Sequence, residues 1–337
     1  MQSSLPLDGR GFGRGEEASR ADMLAYTIRR LLLIIPVMLI VATTVFLLLY
    51  LTPGDPVGVM LGPDAPEPQK AELRARLGLD RPAHMQLISW YVRLLRGDLG
   101  TSIFLHKAVT DAFLERLEPT LMLTLLALTF AVIIGLPAGV IAAKLRGSWF
   151  DMASMVIAIA GVSMPTFWIG LNLIFIFAVT LGWLPVAGYQ PLSRGLWENL
   201  RYLLMPAVTL GFAQSALLAR MTRSMMLEVL SQDYIRTAWA KGVAELGVLC
   251  RHALRNAVIP LVTIVGLSFA LLLGGAVISE QIFNIPGVGR LLIQAVSRRD
   301  YPLVQGVLMI IAGIYMGVNL VVDLTYAYLD PRIRHSD

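Results

Sequence analysis

Residues 31–51 hold no charge, and 15 of these 21 are Leu, Ile, Val or Phe. At about −0.3 to −0.6 kcal/mol for each such residue, a run of this kind favours the bilayer by several kcal/mol. Five more apolar blocks follow, at 120–143, 154–181, 202–219, 257–279 and 304–328. Each can cross about 30 Å of hydrocarbon at about 1.5 Å per residue, the 202–219 block only just. Pro36, Pro137, Pro165 and Pro206 fall inside blocks, where neighbouring helices can satisfy the backbone groups a proline frees. The expected fold is an all-α membrane protein with six transmembrane helices.

Composition agrees, with 56% hydrophobic and 15% charged residues and a mean hydropathy of +0.68. A soluble domain of this length needs more charge on its surface. The net charge of +5 is explained by basic residues at the cytoplasmic ends of membrane helices, so no nucleic-acid partner is expected. Cys250, the single cysteine, excludes an internal disulfide. Arg29 and Arg30 before the first block raise the question of a cleaved signal peptide. The block is longer than a signal core, and Thr52-Pro53-Gly54-Asp55 is a poor cleavage site, so a retained anchor is expected.

Lys and Arg set the orientation. With the N-terminus inside, the inner segments hold Arg10, Arg14, Arg20, Arg29, Arg30, Lys144, Arg146, Arg220, Arg223, Arg236, Lys241, Arg251, Arg255, Arg332 and Arg334. The short outer loops hold only Arg194, Arg201, Arg290, Arg298 and Arg299. Both termini are therefore expected inside. Residues 1–22 read as a disordered tail and 23–51 as the first membrane helix. Residues 52–118 read as an extracytoplasmic segment with short amphipathic helices, in which Trp90 and Tyr91 suit headgroup level. Residues 119–328 make a five-helix core containing a cytoplasmic loop at 227–256, and 329–337 form a tail.

That loop is the informative stretch. It carries Asp233-Tyr234-Ile235-Arg236-Thr237-Ala238-Trp239-Ala240-Lys241-Gly242 and then His252-Ala253-Leu254-Arg255-Asn256-Ala257. Val243, Leu246, Leu249 and Ala253 recur at roughly helical spacing. Gly242 ends a run that reads as a short helix, where a glycine cap is common. The expectation is helix, glycine break, helix, lying against the cytoplasmic face. Taken alone, the residues equally describe an ordinary amphipathic connector.

The stretch resembles the coupling loop of bacterial ABC importer permeases, whose pattern is Glu-Ala-Ala, three residues, Gly, and later Leu-Pro. Here Arg236-Thr237-Ala238 stands at the Glu-Ala-Ala place, Gly242 at the glycine, and Leu254-Arg255 at the Leu-Pro. The missing Glu and Pro depart from the general pattern and are similar to the dipeptide and oligopeptide branch. Further matches are Pro53-Gly54-Asp55-Pro56, Gly97-Asp98-Leu99-Gly100 and Phe283-Asn284-Ile285-Pro286-Gly287-Val288-Gly289. Arg299-Asp300-Tyr301-Pro302 and Leu329-Asp330-Pro331-Arg332-Ile333-Arg334 complete the series. Their order and spacing carry the resemblance from Met23 onward.

The resemblance implies a type I importer permease fold in the bacterial inner membrane. It also implies a homologous second permease, two ATPase subunits and an extracytoplasmic solute-binding protein. The coupling helix would be Tyr234, Arg236, Thr237, Ala238, Ala240, Lys241 and Gly242. The cargo implied is a peptide, with glutathione, nickel chelates and glycosides as alternatives within the branch. ATP and Mg²⁺ would belong to the partners. None of Lys70, Lys107, Lys144 and Lys241 follows a glycine, so no phosphate-binding Gly-Lys loop is present.

The remaining polar residues point to no chemistry. Asn172, Gln214 and Asn319 lie within spans, as pathway residues or as interhelical hydrogen bonds. Asp323, near the inner end of the last span, is expected to bond to another helix rather than relay protons. Glu280, Arg298, Arg299 and Asp300 are expected at the outer rim, where a binding protein would dock, or equally as solvated rim charges. His84, His106, His252 and His335 lack metal-ligand spacing, so no metal is expected. No Gly-x-Ser-x-Gly elbow occurs, and no catalytic residue is expected. A stand-alone secondary transporter would show midplane carboxylates and repeats, and a membrane enzyme a cluster of titratable groups at one depth. Neither pattern is present.

Overall fold

The structure, a computed structural model, describes residues 11–51, 56–62 and 64–329. In chain order the helices are α1 (Gly11–Leu51), α2 (Pro56–Leu61), α3 (Glu67–Leu77), α4 (Ala83–Leu95), α5 (Val109–Lys144), α6 (Trp149–Ser163) and α7 (Thr166–Leu173). The second half holds α8 (Leu196–Leu230), α9 (Asp233–Ala240), α10 (Glu245–Gly247), α11 (Arg255–Ile282), α12 (Val288–Ser297) and α13 (Tyr301–Leu329). Among the described residues, five helices are long and apolar enough to span a membrane: Thr27–Leu51 within α1, α5, α8, Pro260–Ile282 within α11, and Tyr301–Thr325 within α13. The bent pair α6–α7 supplies the sixth crossing.

That bend corrects the expectation of one continuous helix over 154–181. Pro165 removes a backbone donor and pushes the preceding residue out of the helical region. Met164 is accordingly extended (φ −75°, ψ 132°), and the two halves meet at 102°. Beyond the break, π-type turns at Ile174–Thr180 carry the chain outward. Gly170 gives the re-aimed segment a seat, because a Cβ there would stand 3.3 Å from both Phe283 and Thr209.

The apolar blocks also understate the helices. The segment 11–22, expected as part of a disordered tail, continues α1. Glu16-Glu17-Ala18-Ser19-Arg20-Ala21 is rich in helix formers, which hydropathy does not register. Residues 1–10 of that tail, and 330–337 of the expected C-terminal one, lie outside the described residues, as do Pro53, Gly54 and Asp55. Residues 109–118, expected in the extracytoplasmic segment, form the start of α5 and extend it about 15 Å past the apolar block. Likewise α8 runs on to Leu230, so the inner connection begins there and not at residue 227.

α5 and α8 form the central seam and run parallel. Added Cβ atoms at Gly135 and Gly139 of α5 would stand 2.6 Å from the Ser215 carbonyl and 2.5 Å from the Ala219 carbonyl. Gly211 of α8 is similarly held 2.5 Å from the Ala127 carbonyl. Small residues let two backbones touch, which in lipid replaces the hydrophobic drive between helices. Leu123, Ala127, Leu203, Leu210, Leu272 and Phe283 fill the middle of the bundle. An outer cluster includes Phe113, Leu291 and Val307, and an inner one Met226, Ile235, Leu249 and Leu261. The outer loop before α8 is pinned to α5, because Glu118 accepts from the Tyr189 hydroxyl and the Leu192 amide, both at 2.8 Å. Burial pushes the Tyr189 phenol up, with the Glu118 carboxylate adding to the effect, so it remains a donor.

Candidate functional site

The inner face of the bundle carries α9, the helix expected from Tyr234 to Gly242. Its hydrophobic side is Ile235 and Ala238, 1% and 7% exposed, set among Met226, Val248, Leu249 and Ala253. Ala238 is thus part of the mounting. Tyr234, Arg236, Thr237, Trp239, Ala240 and Lys241 are exposed on the other side. Tyr234 and Trp239 are 43% and 46% exposed, so part of each large aromatic ring stays open on this short helix.

Gly242 ends α9 in the left-handed region, at φ +77°. Its amide donates to the Trp239 carbonyl at 2.9 Å, and the Val243 amide donates to the Ala238 carbonyl at 3.2 Å. This pair of crossed bonds is the Schellman cap, for which glycine is the favoured residue. Nothing lies within 4 Å of the position a Cβ would take, so backbone conformation rather than space selects glycine. Asn256 donates to the Tyr234 hydroxyl at 2.8 Å, which joins the two halves of the loop motif. Lys144 and Glu245 pair at 3.2 Å and tie the loop to the inner end of α5.

One part of the expected periodicity fails. Leu246, assigned to the packed face, is 71% exposed, and Val248 is buried instead. Leu246 lies in the three-residue α10, ahead of the π-type turns at Val248–Leu254, inside which Leu249 and Ala253 keep the buried positions expected of them. Beside the loop, Asp151 at the start of α6 receives two hydrogen bonds from Arg223 of α8, Nε to Oδ1 and, at 2.7 Å, Nη2 to Oδ2. Asp151 also accepts from the Gly147 amide at 3.0 Å.

The polar residues inside the spans are not brought together by any hydrogen bond among the described residues. Asn172 donates to the Trp168 carbonyl of its own helix at 2.7 Å. Gln214 of α8 donates to the Ser268 hydroxyl of α11, an interhelical bond. The Asn319 Oδ1 is buried without a partner among the described residues. Asp323 pairs with Arg30 of α1 at 2.8 Å, so its other helix is the first span.

Two of the expected rim charges are instead enclosed. Glu280 is fully buried. Its Oε1 accepts from the Thr120 hydroxyl at 2.6 Å and its Oε2 from the Arg290 amide at 2.8 Å, while Thr120 accepts from the Val288 amide at 2.8 Å. Glu280 therefore satisfies the opening amides of α12, at the helix end where negative charge is favoured. Asp300, 1% exposed, accepts from the Ser102 hydroxyl and the Phe104 and Leu303 amides, and so caps α13 while fastening the outer loop. Asp followed by Pro at the second helical position was a readable signal for that cap. For Glu280 the available signal was the pair Gly287 and Gly289 in one turn, which leaves room for a carboxylate.

The binding-protein-dependent transport system inner membrane component family matches residues 135–335, and its N-terminal counterpart matches residues 23–124. The chain belongs to this family. Among the relatives of this inner-membrane component is a probable peptide ABC transporter permease protein from Sinorhizobium fredii, 45% identical over 313 residues. A dipeptide transport system permease protein from Alkalihalophilus pseudofirmus is 44% identical over 333 residues. A glutathione transport system permease protein from Salmonella choleraesuis is 44% identical over 314 residues. Each match covers 93% of this chain and 100% of the relative. A chain of the methionine ABC transporter in inward-facing conformations superposes with a TM-score of 0.54 at 19% identity, covering 64% of this chain and 95% of that one. That likeness places this inner-membrane component in the importer permease fold.

Proposed function

We propose that this chain is one of two homologous membrane-spanning subunits of an ATP-driven importer that brings peptides across the bacterial inner membrane. The observation that carries the reading is α9: a capped helix mounted on the bundle by Ile235 and Ala238, with Tyr234 and Trp239 bare towards the cytoplasm. Two ATPase subunits bind below, one of them seating α9, and use ATP and Mg²⁺. A solute-binding protein delivers cargo outside, and the chain itself does no chemistry. Peptide is the cargo because relatives of near-equal identity carry peptide and dipeptide in their names. The glutathione relative makes that tripeptide the leading alternative. Of the polar residues in the spans, Asn172, Gln214 and Asn319 are the pathway candidates, although each of the three directs a polar atom into the chain itself.

The test is peptide-stimulated ATP hydrolysis by the complete reconstituted complex, with and without Gly242→Trp. The expected result is loss of stimulation in a mutant complex that still assembles. Unchanged stimulation would move coupling away from α9, and an active complex that ignores peptides would overturn the cargo.

A further inference from the structure

On the opposite side of the membrane, α4 has three faces. Leu87, Trp90, Tyr91 and Leu94 seat it on α1, with Trp90 stacked 6.1 Å from Phe46 and the Tyr91 hydroxyl donating to the Leu39 carbonyl at 3.2 Å. A second stripe is apolar yet bare: Met85, Ile88, Val92 and Leu95 are 53%, 59%, 41% and 88% exposed. Between them runs a polar stripe of Gln86, Ser89, Arg93 and Arg96, which faces a cleft of about 1440 Å³.

Depth and charge define what can fill this cleft. Trp90 meets Phe46 about 8 Å below the outer end of the α1 span, and Tyr91 reaches Leu39 about 18 Å below it. Gly100, four residues past Arg96, lies against Pro302 at the outer end of α13, so α4 sits in the outer half of the bilayer with Arg96 nearest the headgroups. Arg74, which pairs with Glu67 at 3.7 Å, and Arg81 join Arg93 and Arg96 on the walls. Among the described residues Asp98 is the only carboxylate lining them, its Oδ1 already accepting from the Gly100 amide at 2.8 Å. Arg81, Arg93 and Arg96 have no carboxylate partner among the described residues. Phe46, Tyr50 and Trp90 form the apolar floor. The volume exceeds the roughly 300–1,000 Å³ of a drug-sized site. Guanidinium forks match phosphate geometry, and the bare apolar stripe adjoins them on the same helix.

We propose that this cleft holds an anionic phospholipid of the outer leaflet, with Arg93 and Arg96 on its phosphate and its acyl chain along Met85, Ile88 and Val92. The site is separate from the coupling loop and does not depend on the cargo.

Native mass spectrometry of the full-length chain in detergent, titrated with phosphatidylglycerol or phosphatidylethanolamine of identical acyl chains, tests the assignment. Wild type should retain phosphatidylglycerol preferentially. R93Q/R96Q should weaken that retention by about thirtyfold, each basic residue near an anionic surface contributing roughly fivefold. Phosphatidylethanolamine binding should stay unchanged, and R93K/R96K should restore most of the loss, which separates charge from misfolding. Equal retention by wild type and R93Q/R96Q would overturn the proposal, as would equal loss of both lipids. Displacement by soluble glycerol 3-phosphate would overturn it in favour of a free-phosphate site. Lipid retention intact with weakened capture of the solute-binding protein would mark the arginines as a protein contact instead.

Discussion

At Glu280 a carboxylate sits fully buried with two backbone amides and a threonine hydroxyl committed to it, directly or through Thr120. Burying a charge is costly unless hydrogen bonds replace its water. The room for it comes from Gly287, since a Cβ there would collide with the Glu280 carboxyl group. Gly287→Ala should therefore destabilise the purified chain by about 1–3 kcal/mol through overpacking. Gly313→Ala, where nothing lies within 4 Å, should leave the melting temperature in place. Equal melting temperatures for the two variants would refute the account of Glu280. The sequence misplaced this residue because its partners come from Thr120 and Arg290, on other helices, and a one-dimensional reading counts a charge near a span end as wet. Gly242 was legible for the opposite reason, because its cap involves only neighbours in the chain.

Individual helices repeat the contrast. The existence of α9 and its glycine stop were readable, and so were all six crossings, because apolar length and cap chemistry are local properties. The bend at Pro165 was not, since Pro36, Pro137 and Pro206 sit in unbroken helices and differ from it only in what surrounds them. The exposure of Leu246 was hidden likewise, because the expected helical stripe began at Val243, which lies outside any helix. For α9 the two faces predict opposite outcomes. Ile235→Asp should put a charge into the inner cluster and cost about 3 kcal/mol or more, visible in thermal unfolding of the isolated chain. Trp239→Ala should leave that unfolding unchanged and lower ATPase coupling in the assembled complex. Loss of stability in Trp239→Ala would place the ring in the core and contradict its 46% exposure.

For the whole molecule, the parallel α5–α8 seam determines whether the bundle holds as one body. Gly139→Leu drives a side chain against the Ala219 carbonyl and the Thr222 side chain, and should lower the yield and melting temperature of the isolated chain sharply. Gly317→Leu, where nothing lies within 4 Å of the position a Cβ would take, should not. If both variants melted like wild type, the seam would be looser than the structure has it. Mechanically, the seam makes α5 and α8 a double-walled strut. α8 alone is about 52 Å long, runs unbroken from the outer loop, and ends two residues before α9. A sideways step of about 3 Å at its inner end is a tilt of about 3°, within the scale of helix shifts that packed interfaces accommodate. On the proposed coupling role of α9, a sideways push there would reach the outer surface as rotation of a stiff lever. No helix needs to unwind or shorten for the two sides of the membrane to move together.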